Sequence, residues 1–154
     1  MTTWMKSGSV VDPVNGIVEK ADVIIEKGKI TRILPHGVFA EKGFGQCRII
    51  DASDKLIVPG LVDMHAHLRE PGHEHKETIA TGGRAAVKGG FTALACMPNT
   101  TPPNDCPEVT AFIVEEARKA GSARVFPVAA ITMGQKGEKL TEFGALKEAG
   151  AVAV

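Results

Sequence analysis

The sequence has no surplus of charge: 18 basic and 18 acidic side chains cancel, leaving a formal net charge of zero and a pI near 7.0. Lys and Arg are dispersed rather than clustered, so there is no electrostatic footprint for nucleic acid or for an anionic membrane face. Long apolar runs are missing too. Stretches such as Leu56-Ile57-Val58 and Val128-Ala129-Ala130-Ile131 fall far short of the ~20 residues of a membrane-spanning helix. Met1-Thr2-Thr3-Trp4-Met5-Lys6 has no apolar core behind a basic start and does not read as a secretory signal. The expectation is a cytoplasmic protein with no membrane and no nucleic-acid partner. Cysteine is scarce. Cys47, Cys96 and Cys106 are odd in number and lack a Cys-x-x-Cys spacing, which argues against a disulfide framework and a thiolate metal cage. They are expected to be reduced, partly buried small residues.

What the chain does have is the composition of a globular protein, 154 residues of which 44% are hydrophobic. Its pattern falls into two parts. From about Ser7 to Ile57 it reads as short strands and turns. Pro13 ends an extended run at Gly8-Ser9-Val10-Val11-Asp12. Ala21–Glu26 and Lys29–Ile33 flank a Lys27-Gly28 turn and predict a hairpin. Arg48-Ile49-Ile50-Asp51 is a further strand. Strands this short bury too little surface to be secure without something to pack on.

The second part alternates strand, loop and helix. Leu61–His65 extends an apolar strand, and a helix is expected over roughly Lys76–Lys88, stopped at Gly89-Gly90. Phe91–Met97 is a buried strand. Asp105 and Glu108 stand in capping-box spacing ahead of a helix whose face is Val109, Phe112, Ile113, Ala117 and Ala120, closed by Gly121. Arg124–Ile131 predicts a third strand, Thr141–Ala149 a helix, and Ala151–Val154 the start of a fourth strand. Nearly continuous apolar strands alternating with helices predict a parallel, helix-covered α/β sheet. Gly82-Gly83 is read as a close-packing site or a helix stop. No Gly-x-Gly-x-x-Gly, P-loop or Gly-x-Ser-x-Gly element is present.

The sharpest chemical feature is Asp63-Met64-His65-Ala66-His67-Leu68-Arg69. Side chains alternate along a strand, so His65 and His67 project to one side about 7 Å apart, close enough to converge on one metal. The bland reading is two packed or solvated histidines. The motif sits at the C-terminal end of the first strand of a βα series, the face on which barrel enzymes build their sites. Asp63 shares the parity and is either an acceptor for a ring N–H or a hydrogen-bonded strand carboxylate. Arg69 keeps the parity if the strand continues; its guanidinium suits a substrate carboxylate, or it pairs with Glu70 or Glu74. Asn99, at the end of the next strand, can donate to and accept from one ligand, or simply shape a turn. His73 and His75, flanking Glu74 in a loop of charged residues, and His36 beside Gly37 invite a second metal reading, but the loop carries no orienting parity and they are read as solvated. The Asn99-Thr100-Thr101 glycosylation pattern is read as idle.

Taken together, Val58-Pro59-Gly60-Leu61-Val62-Asp63-Met64-His65-Ala66-His67-Leu68-Arg69-Glu70-Pro71-Gly72, Gly89-Gly90-Phe91-Thr92 and Met97-Pro98-Asn99-Thr100 closely resemble the N-terminal part of the bacterial dihydroorotase family of the amidohydrolase superfamily. The His-x-His motif alone indicates the superfamily; Arg69 with Asn99 narrows it, since hydantoinase and allantoinase relatives usually lack that pair. The resemblance implies a sandwich-like β segment over 1–57 followed, over 58–154, by the first three to four strands of a metal-dependent (β/α)8 barrel. It implies zinc at His65 and His67, and substrate contacts from His67, Arg69 and Asn99, the last two holding the substrate carboxylate. The reaction implied is reversible hydrolysis of dihydroorotate to N-carbamoyl-L-aspartate in de novo pyrimidine synthesis, by a homodimer or in association with another enzyme of that pathway. The family's bridging ligand, further histidines and general base are expected beyond Val154, so no catalytic base is expected within this chain, and the length is read as that of a fragment inactive alone. A non-catalytic assembly partner and a hydantoinase- or allantoinase-type amidase are the alternatives.

Overall fold

A computed structural model describes residues 1–38 and 47–154, which divide into two compact units, Met1–Pro59 and Gly60–Val154. In the first unit β1 (Thr2–Asp12) is the organising strand. It pairs antiparallel with β2 (Ile17–Glu26) and parallel with β4 (Cys47–Asp51) and the two-residue β5 (Leu56–Ile57); β3 (Lys29–Pro35) pairs with β2, giving the order β3-β2-β1-β4.

Local chemistry sets the turns. Asp12 Oδ1 accepts from the backbone N–H groups of Val14 and Asn15, closing the turn after Pro13. The Asn15 amide donates to Oδ2 at 2.6 Å, and this partner holds the exposed Asp12 carboxyl below its usual range. Lys27 and Gly28 both take positive φ, 51° and 76°, the backbone of a tight hairpin turn whose twist matches its strands. Between Met5 and Gly8 the ladder slips, with Ser7 at φ 66° and its N–H donated to the buried Asp22 carboxylate at 2.8 Å. Val10, Ala21 and Val23 form the core of this unit.

The second unit is a three-stranded parallel sheet of β6 (Leu61–Ala66), β7 (Phe91–Cys96) and β8 (Arg124–Pro127), with α1 (Ile79–Lys88) and α2 (Pro107–Ala120) as crossovers and α3 (Phe143–Ala149) following. Its core is Leu68, Ile79, Leu94, Cys96, Val109, Ile113 and Ala123. α1 starts later than the periodicity predicts because Thr78 caps it: the Thr78 hydroxyl accepts from Thr81 N, and Thr81 Oγ1 accepts from Thr78 N. Gly82 and Gly83 are buried in α1, where a Cβ would meet Leu68 Cδ2 at 2.5 Å and Ser122 Oγ at 2.2 Å respectively. These two positions set how closely the helix approaches its neighbours.

Two expected features differ. The capping box of Asp105 with Glu108 does not form: Cys106 is the N-cap residue, without a side-chain cap, and Asp105 Oδ2 instead accepts from Gly134 N at 2.6 Å. The third strand stops at Pro127: after Val128, whose N–H still donates to Cys96 O, the backbone turns to loop partners. Ala130 N donates to Asn104 O and Thr141 N to Ile131 O, while the expected fourth strand contributes one parallel bridge, Val128 with Ala153. The three cysteines are unpaired, and burial pushes the Cys96 thiol above its usual range. Among the described residues no helix is long and apolar enough to cross a membrane.

Candidate active site

The site residues gather where β6 and β7 end. β6 closes at Ala66, whose carbonyl accepts from Met97 N just past β7, and Cys96 O in turn accepts from Val128 N just past β8. The three strand ends are thereby stitched side by side. His65 lies in the last turn of pleat of β6 and His67 directly after it. Their ring centroids are 5.1 Å apart with planes at 66°, so the imidazoles converge although strand geometry does not extend to His67. Between His67 and Arg69, Leu68 is buried in the core and anchors the segment.

Asp63 is placed differently from the ring-acceptor reading. Its Oδ1 accepts from the backbone N–H of His65 at 3.0 Å, fixing the main chain at the first histidine rather than an imidazole. The ring partner is Asn99: its Oδ1 lies 2.7 Å from His67 Nδ1. In the tautomer in which Nδ1 donates to this amide oxygen, the Nε2 lone pair faces away from the bond and can serve a metal. The amide nitrogen of Asn99 keeps its donors for another ligand.

Parity ends before Arg69, which sits at φ 68° while Glu70 N donates to Leu68 O at 2.8 Å, a tight turn that redirects the chain. The two carboxylates that could pair with Arg69 are committed elsewhere. Glu70 Oε2 accepts from Ile79 N at 2.8 Å, at the N-terminus of α1, where a negative charge is favoured. Glu74 Oε1 accepts from Gly72 N at 2.7 Å, and that bond, with smaller contributions from His73 and His75, holds the exposed Glu74 carboxyl below its usual range. This leaves the Arg69 guanidinium without an ion pair among the described residues.

The loop after β6 is clamped to the loop after β7. Thr101 N donates to Pro71 O, and Thr101 Oγ1 lies 3.0 Å from His73 Nε2. His73 is therefore a bonded member of the loop pair and not merely solvated, a role that its sequence neighbours do not signal. His36 lies in the other unit, its Nδ1 3.9 Å from Asp22 Oδ1.

Among the described residues no cluster of three or more His, Cys, Asp or Glu side chains could hold a metal. The donor set is the imidazole pair, and it fits a first-row metal such as zinc: two nitrogen-bearing rings close together, one with a hydrogen-bond partner at Nδ1.

Paired imidazoles, an amide and an arginine without an ion pair among the described residues thus meet at and just beyond adjacent parallel-strand ends. The model of dihydro-orotase-like proteins matches residues 54–154, and the chain belongs to that family. It is 54% identical over 145 residues to a dihydroorotase of Syntrophobacter fumaroxidans, covering 94% of this chain and 33% of that protein. With a dihydroorotase of Geobacter metallireducens it is 51% identical over 154 residues, 100% of this chain and 35% of the relative. The chain thus spans about a third of the length of these relatives. Among solved structures, an L-hydantoinase from Arthrobacter aurescens shares the fold (TM-score 0.73, 23% identity, 98% of this chain and 32% of that one). A D-hydantoinase from Thermus sp. is similar at TM-score 0.65 and 27% identity, covering 95% of this chain and 30% of its own.

Proposed function

We propose that the protein is a zinc-dependent cyclic amidohydrolase that interconverts dihydroorotate and N-carbamoyl-L-aspartate in pyrimidine synthesis, built on the opening βα units of a (β/α)8 barrel over residues 58–154. The observation that carries the reading is the joint placement of His65, His67 and Asn99 at the ends of β6 and β7, with Arg69 on the turn that follows.

His65 and His67 would hold the metal, the second through Nε2. When bound, zinc polarises the ring carbonyl and lowers the pKa of water, supplying a nucleophile near neutral pH. The remaining work of this chain is binding. Arg69 offers a planar pair of donors to the substrate carboxylate, and the Asn99 amide nitrogen adds a third. Held by its carboxylate, the ring presents its amide to the metal side in a fixed orientation, which lowers the entropic part of the barrel's catalytic barrier. The same pair favours dihydroorotate over hydantoin, whose ring carries no carboxylate for it to hold.

Metal analysis and turnover of dihydroorotate, hydantoin and allantoin by the protein expressed from its complete reading frame test the proposal. Stoichiometric zinc and a preference for dihydroorotate are expected, both lost in His65→Ala. Preference for hydantoin or allantoin moves the assignment to those rings. A zinc-free, inactive protein makes it a non-catalytic assembly partner.

A further inference from the structure

Asn104 takes no part in the site as described, yet it is fully buried, an uncommon place for a primary amide. Its polar groups are matched on several sides. Nδ2 donates to Val128 O at 2.9 Å, and Oδ1 accepts from the buried Thr110 hydroxyl at 2.6 Å. Its backbone N–H donates to Pro98 O at 2.9 Å, and its carbonyl accepts from Ala130 N at 2.7 Å. One residue therefore ties the β7–α2 loop to the first turn of α2 and to the segment after β8.

That loop carries Asn99. Pro98 O, which receives the Asn104 N–H, also accepts from Thr100 N at 2.9 Å, and the Thr100 hydroxyl donates to Pro102 O at 2.7 Å. Asn99 is thus enclosed in a hydrogen-bonded ring that runs from Pro98 to Asn104. The ring's only side chain reaching into neighbouring elements through buried hydrogen bonds, among the described residues, is that of Asn104.

We propose that Asn104 is a positioning residue for Asn99: by locking the loop to β8 and α2 it sets where the Asn99 amide stands beside His67, and so how well a carboxylate-bearing cyclic amide is captured. This rests on the role given to Asn99 above. Removing the Asn104 amide strands Val128 O and the Thr110 hydroxyl, both buried, and the loop must move to satisfy them. Removing the Thr110 hydroxyl loosens the same knot from the other side.

Steady-state kinetics and zinc content, measured on the protein expressed from its complete reading frame, test this with Asn104→Ala, Thr110→Val, Thr110→Ser and Asn99→Ala. Asn104→Ala is expected to raise KM about tenfold, in line with a weakened hydrogen bond to a charged group. The kcat of the zinc-loaded protein is expected to stay within about twofold of the parent, a split that general destabilisation does not produce. Thr110→Val shifts KM the same way by less, and Thr110→Ser, which keeps the hydroxyl, restores it. If Asn104→Ala does not fold, the Thr110 pair carries the test. An unchanged KM in Asn104→Ala and Thr110→Val, with KM raised in Asn99→Ala, overturns the inference alone. An unchanged KM in Asn99→Ala overturns the role of Asn99 and the inference with it.

Discussion

His67 Nδ1 and Asn99 Oδ1 lie 2.7 Å apart although 32 positions separate them in the chain. The bond lets one amide serve two neighbours, its oxygen a ring nitrogen and its nitrogen a ligand. Asn99→Asp separates these duties, because a carboxylate still accepts from Nδ1–H but has no donor left and adds a negative charge. The variant is expected to keep its zinc while KM for dihydroorotate rises by about 100-fold, the scale of losing a charge-assisted bond and gaining a like-charge neighbour. Metal analysis beside initial-rate kinetics checks it; loss of zinc with an unchanged KM contradicts it.

Arg69, to which the proposed function gives the substrate carboxylate, has a left-handed backbone, φ 68°. An L-residue there costs about 1 kcal/mol that glycine does not. Arg69→Gly is therefore expected to leave unfolding free energy within about 1 kcal/mol of the parent, since the relief of strain offsets the entropy of the more flexible unfolded chain. KM is expected to rise by about 10–100-fold from loss of the guanidinium. Denaturant titration and kinetics on the same sample distinguish a binding role from a structural one.

Gly72 sits at φ 94°, where a Cβ would meet Thr101 O at 2.1 Å and Thr101 Cβ at 2.7 Å. Gly72→Ala must push the two clamped loops apart. A loss of about 3 kcal/mol is expected from strain and overpacking together, read as a lower denaturation midpoint, with faster amide exchange at Thr101 as the local sign.

Thr78 closes the start of α1 through its hydroxyl and its N–H, both bonded with Thr81. Thr78→Ala is expected to cost about 1 kcal/mol, and Thr78→Ser to recover most of it. Thermal unfolding of the two variants provides the comparison.

Signals that depend on neighbours in sequence were readable. The Lys27-Gly28 turn, the alternating strand and helix order after Gly60, and the meeting of the imidazoles of His65 and His67 all follow from spacing and turn chemistry. The residues that escaped have partners far along the chain. Asp105 looks like a cap because Glu108 follows it, but Gly134 N, 29 positions away, captures its carboxylate. Asp63, by contrast, bonds locally to the main-chain N–H of His65, the hydrogen-bonded strand carboxylate that is one of its two readings from sequence. Asn104 belongs to no motif; only the proximity of Val128 and Thr110 gives it meaning. Strand parity also supplied the right pairing for an incomplete reason, since His67 lies past the end of β6 and is steered by Asn99 and by the anchored Leu68.

The two-sided amide of Asn99 has a thermodynamic corollary. If its oxygen holds the metal-binding tautomer of His67 while its nitrogen grips the substrate anion, each event fixes a side chain that the other needs fixed. Binding is then reciprocal: saturating substrate analogue tightens zinc by the same factor by which zinc tightens the analogue. At equilibrium a higher concentration of chelator would then be needed to strip the metal from an occupied site than from an open one.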